Sequence, residues 1–194
     1  MLDTHGRKYI SPLLKAMANF FLRLKMTPNN ITVIGFLIGL LPFVFIYFDK
    51  YLMAVLFLWV SGFFDAVDGE MARISNNSTP FGTLMDVTFD RIVEIGVILA
   101  IALKHPQYRL GLLFLTSVII LSMTIFLTVG ALSENRGSKS FYYQAGVAER
   151  TEGFLLFTLM ILIPKHIALI SNVFSILILI TAIQRMIEAR KILK

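Results

Sequence analysis

There is no cysteine in this sequence, which excludes disulfides and thiolate-bound metals from its chemistry. Acidic residues are few, 12 Asp and Glu against 18 Lys and Arg, giving a formal charge of +6. In a soluble chain that excess would raise the question of nucleic acid. Here the sequence lacks the interleaved aromatic and basic residues that stack bases in a single-strand groove, so no nucleic-acid partner is expected. The cations stand beside apolar runs, which makes membrane lipid headgroups or a phosphorylated substrate the more economical partners. The opening stretch MLDTHGRKYISPLLKAM lacks an uninterrupted apolar run followed by a small-residue cleavage site. No signal peptide is therefore expected, and the first spanning helix should remain in the mature protein.

What the chain has in excess is apolar surface. Hydrophobic residues make up 57% of its 194 positions and the mean hydropathy is +0.77, against roughly 45–50% apolar residues in a soluble domain. The expected fold is all-α: a polytopic membrane protein forming a single domain over residues 1–194, with no room for a second globular unit.

Residues 7–25 place Ile10, Leu13, Leu14, Met17, Phe20, Phe21 and Leu24 on one side at helical spacing, with Arg7, Lys8, Lys15, Arg23 and Lys25 supplying charge. This predicts an N-terminal amphipathic helix lying in the membrane interface, or one packed on the protein's own surface. Thr27-Pro28-Asn29-Asn30 then breaks the pattern, and Asn29 or Asn30 is the expected cap of the next helix. Six transmembrane helices follow: Ile31 to about Phe48, Tyr51 through Phe64 and on into Asp65, Gly82 to Leu103, Leu110 to Leu132, Gly153 to Ile163, and Ile167 to Met186. Each is read as near the roughly 20 residues that a bilayer requires.

With six spans both termini share a side. Only Lys50, Lys104, Arg109 and Lys165 then fall on the opposite one, so the termini and the turns after the second and fourth spans are expected to face the cytoplasm. The expected location is the cell membrane.

The chain is organised around DAVDGEMARISNNSTPFGTLMDVTFD, from Asp65 to Asp90. Carboxylates in an apolar chain are costly and tend to be functional. Asp65 and Asp68 are three apart, Asp86 and Asp90 four apart, so each pair projects from one face of its helix. A short turn makes the two helices antiparallel neighbours, and their facing ends can bring four carboxylates together. Groups that close need cations to neutralise them. An all-oxygen donor set selects magnesium, manganese or calcium over zinc, and two ions sharing carboxylates form the clamp used in phosphoryl transfer. Gly69, Ala72 and Gly82 leave space for a bulky ligand, although close helix packing explains the glycines equally well. Arg73 offers a guanidinium fork to a diphosphate.

The spacing Asp65-x2-Asp68-Gly69-x2-Ala72-Arg73-x8-Gly82-x3-Asp86-x3-Asp90 resembles the signature of the CDP-alcohol phosphotransferase family at every fixed position. Thr27-Pro28-Asn29 is similar to the family's entry segment, and the likeness is clearest over residues 27–95. The resemblance implies six transmembrane helices, a homodimer, and two divalent cations, Mg2+ or Mn2+. It also implies transfer of a substituted phosphoryl group from a CDP-linked lipid donor to a polar alcohol, with release of CMP. By position, Asp65, Asp68 and Asp86 would be metal ligands. Asp90 would touch a metal and act as the general base. Asn29, Asp68, Gly69, Ala72, Arg73 and Gly82 would line the CDP site.

The acceptor is written elsewhere. Arg136, Lys139, Arg150 and Arg185 are the candidate acceptor-binding cations. Ala148-Glu149-Arg150 resembles an element of members that accept inositol phosphate, whereas Ser133-Glu134-Asn135-Arg136 lacks the lysine-rich element expected there. The expectation is a phosphorylated acceptor, such as inositol phosphate or glycerol phosphate. An unphosphorylated acceptor such as serine is the alternative within the family. A cation transporter using intramembrane carboxylates is the alternative outside it, and a non-catalytic scaffold a third. A relay would place acids at mid-depth on several helices, whereas these four cluster at the ends of two. Glu94 is expected to form a structural ion pair with Arg91.

Overall fold

A computed structural model describes the backbone of residues 2–133, 146 and 150–193, with side chains from residue 10 onward. Arg136 and Lys139 lie outside the described residues. The described chain is helical apart from short turns between the helices, and it divides into two compact units, residues 4–104 and residues 105–194 together with the first three.

In the first unit, α1 (Leu2–Arg23) leads to α2 (Pro28–Gly39), α3 (Leu41–Tyr47), α4 (Tyr51–Ile74) and α5 (Pro80–Lys104). The ends of these helices follow from local chemistry. Thr27, rather than Asn29 or Asn30, caps α2. Its backbone N–H donates to Asn30 Oδ1 at 2.8 Å, its Oγ1 accepts from the Asn30 N–H at 3.3 Å, and Pro28 fills the first turn, where no N–H is needed. Asn30 therefore serves the cap as its third residue. Thr79-Pro80 opens α5 in the same way, with Thr79 Oγ1 accepting from the Gly82 N–H at 3.0 Å. Lys25, Asp49 and Asn76 each adopt positive φ (59°, 58° and 50°). The following N–H groups reach back to Phe21, Phe45 and Ala72 at 3.1, 2.8 and 3.2 Å. This closure satisfies carbonyls that a helix end leaves open.

The predicted first span is not one uninterrupted helix. It divides at Leu40, because Pro42 has no N–H to donate to Ile38. Both parts remain close to helical, and Pro28–Tyr47 is still apolar enough and long enough to cross a bilayer.

α2 and α4 approach through small residues. A β-carbon on Gly35 would stand 3.0 Å from Phe64 Cβ, and one on Gly39 would stand 2.6 Å from Ser61 Oγ and 2.5 Å from a Val93 methyl. Ser61 Oγ donates to the Gly35 carbonyl at 2.8 Å. This is how membrane helices associate when lipid removes the hydrophobic gain: backbones come close and polar groups bond across the contact. α1 joins the same unit through Leu14 and Ala18, which are buried with Ile31, Val67 and Met71. Its other apolar residues, Ile10, Leu13, Phe20 and Leu24, face outward. At the far end of α4 and α5, Lys104 Nζ meets Asp49 Oδ2 at 2.5 Å, and Tyr51 Oη donates to Asp49 Oδ1 at 2.7 Å.

In the second unit, α6 (Arg109–Leu132) packs on α8 (Ile167–Ile192), as does the described part of α7 (Arg150–Leu162). Pro106 and Pro164 each open a single 3-10 turn that runs directly into α6 or α8. The preceding residues, His105 and Ile163, have near-extended backbones, as a following proline requires.

Side chains are distributed as for a lipid solvent. Leu52, Leu99, Leu110 and Leu113 point outward while Ser61, Ser122, Ser171, Ser175 and Thr181 are buried, the reverse of the partition water imposes. Four helical stretches, Pro28–Tyr47, Tyr51–Ile74, Pro106–Leu132 and Pro164–Ile192, are long and apolar enough to cross a membrane. α5 has the length but carries Asp86, Asp90, Arg91 and Glu94, and the described α7 has 13 residues.

Candidate active site

α4 presents Asp65 and Asp68 one helical turn apart, and α5 presents Asp86 and Asp90 likewise. Oxygens of Asp65, Asp68 and Asp86 all lie within 4.8 Å of one another. Asp68 is buried, and the other two are half-buried. Asp90 joins the three around a cavity of about 20 Å³, together with Thr32, Gly35, Phe36, Ser61, Phe89 and Val93, which is room for one water-sized occupant. The donor set fits a hard cation. Oxygens around one magnesium stand roughly 3–4 Å apart, a small contraction from the observed separation, and among the described residues no nitrogen or sulfur ligand lines the cavity.

Two of the contacts that shape this place were not anticipated. Phe36 on α2 stacks on Phe89 of α5, centroids 4.1 Å apart at 19°, beside the acidic turn. The Gly35–Gly39 face brings α4 close enough that a β-carbon at position 35 would stand 3.8 Å from the Asp65 backbone nitrogen. The signal for the second lay in the sequence as two glycines four apart in an apolar run. The aromatic stack has no comparable signature.

The predicted donor residues divide into two local groups. Asn29 and Gly82 meet: Asn29 Oδ1 stands 2.9 Å from the position of a β-carbon on Gly82. Arg73 lies back along its own helix, its Nη1 3.7 Å from a β-carbon position on Gly69. Its Nε and Nη2 donate to Glu70 Oε2 at 3.0 and 2.6 Å, a partner not singled out from the sequence. Ala72 follows on the same helix, half-buried. Arg91 does pair with Glu94, at 2.6 Å.

Of the predicted acceptor residues, Arg150 stands at the start of the described α7 with its guanidinium 5.6 Å from the Phe154 ring. Arg185 is buried on α8. Its Nη1 donates to Ser122 Oγ at 3.3 Å and its guanidinium lies 4.7 Å from the Phe126 ring, an arrangement that holds a cation inside an apolar bundle.

A helical membrane protein that gathers carboxylates around a cation-sized cavity from two helices, both packed on α2 and α3 rather than on each other as the short turn between them suggested, belongs, by its chemistry, with the metal-dependent enzymes that transfer phosphate groups. The chain is a member of the CDP-alcohol phosphatidyltransferase family, whose profile matches residues 25–186. It is an integral membrane enzyme that transfers a substituted phosphoryl group from a CDP-linked donor to an alcohol. The family uses divalent metal ions, and among the described residues the Asp65, Asp68 and Asp86 carboxylates form a group that fits them.

Among its relatives, the inner membrane protein YnjF of Escherichia coli is 33% identical, covering 95% of this chain and 93% of that protein. The archaetidylinositol phosphate synthase of Pyrococcus horikoshii is 33% identical over 87% of this chain and 86% of its own. The fold matches the crystal structure of Mycobacterium tuberculosis phosphatidylinositol phosphate synthase with CDP-DAG bound. The TM-score is 0.74 at 21% identity, covering 92% of this chain and 94% of that one.

Proposed function

We propose that this enzyme transfers a phosphatidyl group, or its ether-lipid equivalent, from a CDP-linked lipid to an inositol phosphate. The observation that carries the reading is the convergence of Asp65, Asp68 and Asp86 within 4.8 Å around a cavity shared with Asp90. The names of the Pyrococcus relative and of a 29% identical Corynebacterium glutamicum phosphatidylinositol phosphate synthase support the acceptor. So does the buried cation Arg185, which suits a phosphate already present on the alcohol.

Asp65, Asp68 and Asp86 would hold the divalent cations, with Asp90 on the same cavity. When bound, the ions neutralise the carboxylates and draw charge from the transferring phosphoryl oxygens. Asn29, Asp68, Gly69, Ala72, Arg73 and Gly82 receive the CDP part of the donor, with the glycines leaving room for it and Arg73 facing the diphosphate. Asp90 accepts the proton of the acceptor hydroxyl. The hydroxyl oxygen forms a bond to the lipid-bearing phosphorus, the bond from that phosphorus to the CMP oxygen breaks, and CMP leaves. Arg136, Lys139, Arg150 and Arg185 hold the acceptor's phosphate.

The chain works as one domain with six membrane spans, α5 and α7 completing the set, and with both termini and the aspartates on the cytoplasmic side. α1 lies in the interface, its outward edge of Ile10, Leu13, Phe20 and Leu24 toward the acyl chains. The working form is a homodimer, as the family resemblance implies.

The test is CMP release by purified protein with magnesium or manganese, CDP-diacylglycerol and a panel of alcohols. Release is expected with inositol phosphate. Release with serine or glycerol phosphate instead would reassign the acceptor, and release with none of them would remove the donor reading.

A further inference from the structure

Arg73 is not poised at random. A helical side chain leans over the turn before it, so Arg73 covers both Gly69 and Glu70. Its Nε and Nη2 converge on the single oxygen Glu70 Oε2 at 3.0 and 2.6 Å, while Nη1 takes no part in the pair. The guanidinium lies over Gly69, the residue after Asp68, with Nη1 3.7 Å and Nη2 3.9 Å from its β-carbon position, and of these two Nη1 is the one outside the pair. The pair is also lopsided in burial: the Arg73 side chain is 50% exposed and that of Glu70 only 12%. A pair three residues apart on one helix stabilises that helix only weakly, which is little return for a carboxylate withdrawn from solvent.

We propose that Glu70 is a positioning residue for the donor site: it pins one edge of the Arg73 guanidinium so that the other edge is presented over Gly69 to the donor diphosphate. This rests on the reading that Arg73 receives that diphosphate. An unrestrained arginine loses much rotamer freedom when a ligand fixes it, and a side chain ordered before the ligand arrives does not charge that cost to binding.

The experiment measures donor and acceptor KM and kcat for CDP-diacylglycerol with the full-length protein in bilayer discs. The variants are Glu70→Ala, Glu70→Gln, Arg73→Ala and the double variant Glu70→Ala/Arg73→Ala, each with a thermal melt. Glu70→Ala is expected to raise donor KM about tenfold, the scale of one charge-assisted hydrogen bond, with kcat and acceptor KM within about twofold. Glu70→Gln, which keeps an acceptor oxygen, should fall between Glu70→Ala and the parent, so the result does not depend on how well one variant folds. On the Arg73→Ala background, Glu70→Ala should change nothing further. If Arg73→Ala raises donor KM and Glu70→Ala does not, or lowers it, Glu70 does not position the arginine. The same holds if Glu70→Ala acts equally on both backgrounds. If Arg73→Ala itself leaves donor KM unchanged, the assignment of Arg73 to the diphosphate fails and takes this inference with it.

Discussion

The side-chain oxygen of Asn29 occupies the space that a β-carbon on Gly82 would need, 2.9 Å from its position, with Thr79 Oγ1 at 3.0 Å on the same side. Residues remote in sequence are thus joined at the mouth of α5, where the cap of the helix and the entry segment of the chain meet. The absence of a side chain at position 82 is a packing requirement as well as an opening for a ligand. The two readings of that glycine do not exclude each other.

Gly82→Ala should therefore displace Asn29 or loosen the Thr79 cap. The expected outcome is a rise of about tenfold in donor KM, with a loss of about 1 kcal/mol from the weakened cap. Donor titrations and a thermal melt measure the two effects. An unchanged donor KM would remove Asn29 and Gly82 from the CDP site.

Asp90→Asn should lower turnover by about 10²–10⁴-fold, the contribution of a positioned base, while largely preserving manganese binding. Asp65→Asn and Asp86→Asn should instead weaken manganese binding, because each replaces a charged carboxylate of the group of three with a neutral amide oxygen. Manganese titrations followed by electron paramagnetic resonance, beside CMP release, separate the two classes. Normal activity of Asp90→Asn would show the base to be another group.

Arg185→Lys keeps the charge but loses the planar guanidinium that lies against Phe126 and donates to Ser122. Lysine is not equivalent at a stacked site. Acceptor KM should rise about tenfold, the worth of one charge-assisted hydrogen bond, with donor KM unchanged. Equal effects on both substrates would assign Arg185 to the packing of α6 against α8.

Lys104→Ala removes the pair with Asp49 at the end of the bundle, roughly 20 Å along α4 from Asp65. Both partners are partly exposed, so the stability loss should be about 1 kcal/mol or less. High salt should shrink the difference, and kcat should be unaffected. Melts at low and high ionic strength test the first claim, and an activity assay the second.

The acidic pattern was legible because metal chemistry constrains residue type and spacing together. Carboxylates three and four apart must share a helix face, and the turn at Asn76–Thr79 returns the chain antiparallel. The helix ends were less legible. Thr27, Asn29 and Asn30 are all capable caps, and only the reciprocal bonds between Thr27 and Asn30 choose the first. Leu40 carries no breaking signal of its own. The interruption comes from Pro42 two residues later, acting on the carbonyl of Ile38. Glu70 was overlooked for a different reason: a Glu three before an Arg on a helix is common and says nothing alone about which edge of the guanidinium it holds.

The linear sequence determined the solvent, the helical class and which carboxylates are candidates for a metal site, since apolar excess, periodicity and carboxylate spacing are properties of neighbours along the chain. Tertiary structure decided the rest. That three of the aspartates converge within 4.8 Å depends on how closely α2, α4 and α5 approach. That approach is set by Gly35, Gly39 and Ser61 and by the Phe36–Phe89 stack. In lipid no hydrophobic gain drives such contacts, so shape and a few polar bonds across helices determine the geometry. The carboxylates from Asp65 to Asp90 could be named from their spacing. Their arrangement around one cavity comes from packing between residues that lie far apart in the chain.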